Sequence, residues 1–243
     1  MKDQYFGDIN DFRKYCILSR LSQGTGLPIC FVWMRTLRDG RPDGRKTRYL
    51  RNVGPWPRLN PPLFDFLRRH VLGLKERKVA AFREAPGFSK ARFIEDILTG
   101  SPAEQGDYFA KVRRVARPND ILFFDPDNGM EVKSVKEGRT KSAKHLYWRD
   151  LIPLYEAGHS VIIYQHFPRE KRVPYIKRRI RELESRLDGS RAFAIRTSHV
   201  LFLIAPRLRD IQKVESALKR AFVRDGCPHW ENVFEFRDRF LSS

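Results

Sequence analysis

Three hydrophobic stretches of strand length punctuate the chain, and each breaks off in polar residues. Ile29 to Met34, Ile121 to Phe124 and Ser160 to His166 carry unbroken apolar runs, the pattern of strands covered on both faces in a parallel sheet. Lys78 to Phe82 reads as a further short strand, and Phe88 to Leu98 fits helix or strand equally. Between these lie helical periods. Asp8 to Leu21 brings Phe12, Cys16 and Ile17 to one side; Asp8 or Asn10 can cap it, and Gly24-Thr25-Gly26 closes it. Pro61 to His70 opens with prolines, which a first helical turn tolerates. Asp107 to Val115 and Tyr147 to Ala157 are helical, the latter stopped by Gly158. Val173, Ile176, Ile180, Leu183 and Leu187 step by three and four, and the outer face of this amphipathic helix is dense with Arg and Lys.

Toward the carboxyl terminus, Ala192 to Arg196 and His199 to Ala205 flank Thr197-Ser198 as a hairpin. Ile211, Val214, Leu218 and Phe222 mark a last helix, and Trp230 to Phe240 suits an edge strand. Strands and helices alternate, then an antiparallel pair closes the order. That predicts one α/β domain over residues 1–243, with a doubly wound, mostly parallel, Rossmann-like sheet and an antiparallel C-terminal hairpin. Basic loops at 35–60 and 133–144 interrupt it; Arg35 to Arg48 has the look of a long exposed loop, and Asn52 to Pro62 of irregular chain.

Charge adds a partner to this picture. Lys and Arg number 48 against 29 acids, a formal charge of +19 in 243 residues. Such an excess points to a polyanion, and nucleic acid is the natural one, since each neutralised phosphate releases counterions. The three cysteines, Cys16, Cys30 and Cys227, are scattered, which argues against a disulfide framework or a zinc site. With no signal-peptide core and no run long enough to cross a bilayer, the expectation is a soluble cytoplasmic protein that does not engage membranes.

The chemistry concentrates where the central apolar run ends. Asp125-Pro126-Asp127-Asn128-Gly129 is strong turn chemistry at the tip of an interior strand, and ligands of open α/β sheets bind beyond the carboxyl ends of strands. Asp125, Asp127, Asn128 and Glu131 are therefore candidate catalytic groups. Gln165 and His166 end the neighbouring strand and should open into the same crevice, with His166 as general base and Gln165 as a substrate contact. Lys133, Arg35 and Arg169 stand in the basic segments that could bind substrate phosphates, and Trp33, Tyr49 and Trp56 could stack on bases. Three oxygens from Asp125, Asp127 and Glu131 could instead hold Mg2+, with Lys133 stabilising charge as in a metal-dependent nuclease. The plain structural alternative is a polar turn whose acids cap the next helix and pair with local Lys and Arg.

Two segments resemble a known family. Gly7-Asp8-Ile9-Asn10-Asp11-Phe12-Arg13-Lys14-Tyr15 is similar to a Gly-Asn-His-Ala-Asp-x-x-Lys-His segment, and Asp125-Pro126-Asp127-Asn128 stands where the same family has Asp-Pro-Pro-Tyr. The family is the class I S-adenosylmethionine-dependent methyltransferases, in particular the RlmJ-type ribosomal-RNA adenine-N6 methyltransferases. The basic helix after His166 and the strand to Ala205 follow the family's later order of elements. The resemblance implies S-adenosylmethionine near Gly7, Asp11, Lys14 and Tyr15, with Trp33 at the end of the first strand. It also implies a target base presented to Asp125–Asn128. Asp127 and Asn128 replace the family's second proline and aromatic, and no glycine-rich loop follows the first strand, although Gly40 and Gly44 could turn the chain. The expected function is an S-adenosylmethionine-dependent RNA or DNA methyltransferase. The alternatives are a Mg2+-dependent nuclease and a non-catalytic nucleic-acid-binding protein.

Overall fold

The computed structural model describes residues 1–37, 43–51, 54–139, 141–197, 199–221 and the backbone of 235–237. Gly40, Phe222, Cys227 and the rest of the aromatic tail lie outside the described residues. The frame is a seven-stranded sheet. Its strands are β1 (Ile29–Val32), β2 (Arg92–Ile94), β3 (Ile121–Phe124), β6 (Ser160–His166), β7 (Phe193–Arg196), β8 (Val200–Ala205) and β9 (Glu235–Arg237). They are ordered β2-β1-β3-β6-β8-β7-β9, with a separate short parallel pair of β4 (Gly129–Met130) and β5 (His145–Leu146). From β2 to β6 the pairings are parallel; β8 runs against both β6 and β7, which gives the expected hairpin, and β9 runs against β7.

The continuous apolar runs are explained by two cores. Ile29, Phe31, Ile121, Phe123, Ile162 and Tyr164 face one side of the sheet. There they meet α1 (Ile9–Thr25), α3 (Pro61–Arg68) and α7 (Ile211–Lys219). Cys30, Val32, Leu122, Phe124, Val161 and Ile163 face the other side. That side is covered by α4 (Pro102–Val115), α5 (Trp148–Glu156) and α6 (Arg172–Arg186). Alternate residues of each strand thus enter different cores, so every position must be apolar. The result is a mixed α/β architecture compatible with a Rossmann-like fold. No helix among the described residues is long and apolar enough to cross a membrane.

Local chemistry accounts for most element ends. The Asp8 carboxylate accepts from the Asn10 amide as the N-cap of α1, and Gly26 ends it with φ 71°. Three expectations need correction. Lys78–Phe82 is not a strand: Val79–Glu84 forms a 3-10 helix, because Val79 and Phe82, three apart, both bury on one side. The helix placed at Asp107 begins at Pro102, where the Ser101 hydroxyl accepts from the Glu104 amide. The proline-rich segment before α3 contains a one-turn helix, α2 (Trp56–Leu59). Phe88–Leu98 resolves into β2, and Arg35 bridges to Ile97 just beyond its end.

Sheet order fixes the site. The chain leaves β1 for β2 on one side and returns to β3 on the other. The strand order therefore reverses between β1 and β3, where open α/β sheets bind ligands.

Candidate active site

A cavity of about 770 Å³ opens beyond the carboxyl ends of β3 and β6, large enough for a nucleoside-sized ligand. Its inner wall joins residues remote in sequence. Lys14, on α1, places Nζ 2.6 Å from Asp11 Oδ1 and 2.7 Å from Asp125 Oδ2, and all three side chains are buried. The ammonium also lies 4.9 Å from the Tyr15 ring centre and 5.5 Å from that of Tyr164. Burial works to lower the Lys14 pKa, but Asp11 and Asp125 hold it well above its usual value. Burial also pushes Asp11 up to about 7, against the pull of Lys14. Asp11 Oδ2 is buried and has no hydrogen-bond partner among the described residues.

Asp127 belongs to a second cluster. The α-ammonium of Met1 donates to Asp127 Oδ1 at 3.1 Å, Lys2 Nζ stands 3.3 Å from Oδ2, and the Thr36 hydroxyl donates to Oδ2 at 2.6 Å. Burial opposes ionisation here, but the Met1 ammonium, Thr36 and Lys2 draw the Asp127 pKa down to about 2. The same ammonium donates to the carbonyls of Trp33 (3.1 Å), Met34 (3.4 Å) and Asp125 (3.1 Å). It thereby sits between the ends of β1 and β3, at the reversal of strand order.

His166 stands at the cavity wall beyond Tyr164, whose ring it meets edge-on at 5.3 Å. Its surface is accessible, yet protein surrounds the ring, and this desolvation lowers its pKa below the usual value despite Asp125 and Asp127. The imidazole is consequently neutral at pH 7, the state a general base requires. Tyr5, Phe167 and Tyr175 complete the aromatic lining. The cationic rim draws on all three expected sources: Arg45 and Lys46 from the first basic loop, Lys144 from the second, and Arg178 and Arg179 from α6.

The turn after β3 is held by its neighbours rather than by substrate. Gln165 Oε1 accepts from the Met130 amide at 2.7 Å, and its Nε2 donates to the His166 carbonyl at 2.8 Å. Gln165 packs so closely on Gly129 (φ 97°) that a Cβ there would lie 2.3 Å from its side chain. Asn128, exposed, faces the cavity and pairs its Nδ2 with His145 Nε2 at 3.2 Å. His145 is thus a structural residue, with Nδ1 against the Met130 carbonyl at 3.2 Å.

Several expected residues lie elsewhere. Glu131 accepts from the Trp148 amide at 3.0 Å, so it caps α5. With Asp125 on Lys14 and Asp127 on Met1, the three carboxylates do not converge, and no group of three His, Cys, Asp or Glu among the described residues could hold a metal ion. Lys133 is exposed and does not line the cavity. Arg35 donates to Asp3 at 2.8 Å, away from the cavity, and Arg169 lines a shallow surface outside its mouth. Trp33 and Tyr15 are fully buried in the core, Tyr15 stacked on Phe82 with centres 3.7 Å apart. Gly7, at φ 75°, turns the chain into α1 beneath Val71. Tyr49 is in the core, and Trp56 packs against it under Arg13. Of the five residues assigned to the cofactor, Asp11 and Lys14 therefore reach the cavity. Tyr164, beside His166, lines the cavity as the strand end suggests, whereas Tyr5, Phe167 and Tyr175 were missed; Phe167 and Tyr175 adjoin the His166 strand end and the basic helix, and proximity to those features was their only signal.

Compared with known proteins, the chain matches no family model, no curated protein and no solved structure.

Proposed function

We propose that the chain is a nucleic-acid-modifying enzyme of the methyltransferase type, using S-adenosylmethionine to methylate a base of RNA or DNA. One observation carries this reading. The two segments that resemble the methyltransferases, 111 residues apart, meet in a buried 2.7 Å ion pair between Lys14 and Asp125 at the cavity wall. The sheet order and the neutral imidazole of His166 support it.

The residues fit the cofactor's amino-acid end. Asp11, with a buried unpartnered oxygen, suits the ammonium of that end, while Lys14, already engaged by Asp11 and Asp125, holds the two carboxylates in place. When bound, S-adenosylmethionine supplies an electrophilic methyl group. The chain's own part is to orient and deprotonate. In this reading the free oxygen of Asp125 accepts from an amino group of the base, and neutral His166 takes the proton that the amino nitrogen releases on methylation. Tyr164, Phe167 and Tyr175 offer apolar faces that exclude water, and the Arg and Lys rim suits phosphates.

Thermal unfolding with S-adenosylhomocysteine tests the reading. At a hundredfold excess over Kd, binding stabilises by about 2.7 kcal/mol, a rise of about 5–10 °C for a chain of this size. Transfer of labelled methyl groups to RNA or DNA, lost in Asp125→Ala, completes the test. No thermal shift and no transfer count against it. A second reading, nucleic-acid binding without catalysis, is favoured by the Met1 ammonium, which fills the crevice at the reversal of strand order. It predicts salt-dependent oligonucleotide binding with no response to the cofactor. The nuclease reading has no such support, because its carboxylates are engaged separately.

A further inference from the structure

We propose that the outer face of α6, with the Phe167–Arg172 step at its start, is the track for a single strand of nucleic acid that feeds one base into the cavity. This rests on the nucleic-acid reading above and names the form of the substrate and its path.

The helix itself divides the charges. Ile176, Ile180 and Leu183 bury one side of α6 in the core; Val173, expected in that stripe, is instead exposed at its edge on the first turn, and Lys177 and Arg181, four residues apart, lie on the outer side. Pro174, Arg178, Ser185 and Glu182, the last neutralised by Arg179, join them in lining a shallow groove. Arg178 lines this groove and the cavity, and Phe167 and Pro168 line both the cavity and the surface at its mouth. Groove and mouth thus each border the cavity, the groove across Arg178 and the mouth across Phe167 and Pro168.

The charges along this path are of two kinds. Arg178 is held by Glu170 (2.9 Å) and Arg179 by Glu182 (2.6 Å), and these pairs fix the wall. Lys171, Arg172, Lys177 and Arg181 form no ion pair among the described residues, although Lys177 is only part-exposed. Cations left without internal partners on one helix face complement a row of phosphates. Lys177 and Arg181 are about 6 Å apart along the axis, a spacing that suits successive phosphates of an extended strand.

The mouth favours single strands. Arg172 is exposed and lays its guanidinium over the Phe167 ring at 5.3 Å. Unpaired bases stack on aromatic and guanidinium planes, which a paired base inside a helix cannot offer itself to. A recessed cavity sets the same condition, since its target must leave the stack.

The test is fluorescence anisotropy of labelled single-stranded RNA, single-stranded DNA and duplex of equal length, titrated across KCl concentrations. Single strands should bind more tightly than duplex, and the RNA and DNA arms identify which is preferred. In Lys177→Ala/Arg181→Ala the slope of log K against log salt should shrink by about 1.4, or about 0.7 for each lost contact. Lys213→Ala, exposed on α7 across the sheet, should leave it unchanged. An unchanged slope in the α6 variant, or duplex binding as tight as single-strand binding, overturns the proposal. The S-adenosylhomocysteine thermal shift of the same variant reports separately on the methyltransferase reading, because neither residue lines the cavity.

Discussion

Lys14→Met retains much of the side-chain length and removes the one cation shared by two buried carboxylates. The ammonium stands 2.6 Å from Asp11 and 2.7 Å from Asp125, with side chains only 3–6% exposed. Removing one partner of a buried pair costs about 3–5 kcal/mol, because a charge is left without compensation. Asp11 can escape by binding a proton, and its pKa already stands at about 7 through burial. A carboxylate raised on folding opposes the folded state when ionised. Its stabilising effect is therefore full below the unfolded value of 3.8 and is lost as pH rises through about 7. The rise of about three units corresponds to at most about 4 kcal/mol, and Lys14 restrains it. Without Lys14 that restraint disappears. Urea unfolding should show Lys14→Met destabilised by about 3–5 kcal/mol at pH 8 and by under about 1 kcal/mol at pH 4. Lys14→Met/Asp11→Asn should recover much of the loss at pH 8, and it serves as the measurable variant if the single one does not fold. An equal loss at both pH values, or a loss below about 1 kcal/mol at pH 8, refutes the reasoning. The first would mean that the cost does not come from ionised Asp11, the second that water reaches the pair.

Four further outcomes follow from the same geometry. NMR titration should place the His166 pKa below 6.5, with its contribution to stability full above 6.5 and declining as pH falls through the folded value; the acidic limb of any methyl-transfer profile should share that pKa. Asp127, held at about 2, should stabilise the fold above pH 4 and cease to do so as pH falls toward 2, so Asp127→Asn and the parent should converge in acid unfolding. Gly129→Ala meets both a φ of 97° and the Gln165 side chain, and should cost about 1–3 kcal/mol in urea unfolding. Glu131→Gln weakens the cap on Trp148 and should cost about 1 kcal/mol, while leaving methyl transfer and oligonucleotide affinity unchanged.

Legibility in the sequence followed the strength of the local pattern. β3, β6 and α6 carried unambiguous periods, because each strand serves two cores and the helix serves one. β2 was obscure since Arg92 and Phe93 are only partly buried at a sheet edge. Val79–Glu84 misled because a short apolar run is compatible with a strand unless its partners are known. For the candidate site, position at a strand end anticipated that Asp125, Asp127 and His166 line one cavity. Residue type alone could not distinguish a ligand from a structural support. Glu131 looked like part of an acidic cluster and turned out to be a helix cap; Tyr15 and Trp33, two functional-looking aromatics, are wholly interior. Those distinctions depend on contacts between segments remote in sequence.

Around the cavity and along α6, the cations differ in pairing with depth. At the floor, Lys14 is matched by Asp11 and Asp125, and the Met1 ammonium and Lys2 by Asp127. At the wall, Arg178 and Arg179 retain acidic partners. Beyond the mouth, Lys177 and Arg181 have none among the described residues. A buried floor with paired charges selects by hydrogen bonding, because unpaired groups there are costly. A solvent-facing track of unpaired cations attracts phosphates from a distance and is screened by salt within about 10 Å. On the proposed reading, capture and discrimination fall to different depths, the first to the α6 face and the second to the cavity floor. A structural surface that merely keeps a protein soluble has no need to align its unpaired cations with the entrance to a cavity holding a neutral histidine and an unpartnered buried carboxylate oxygen.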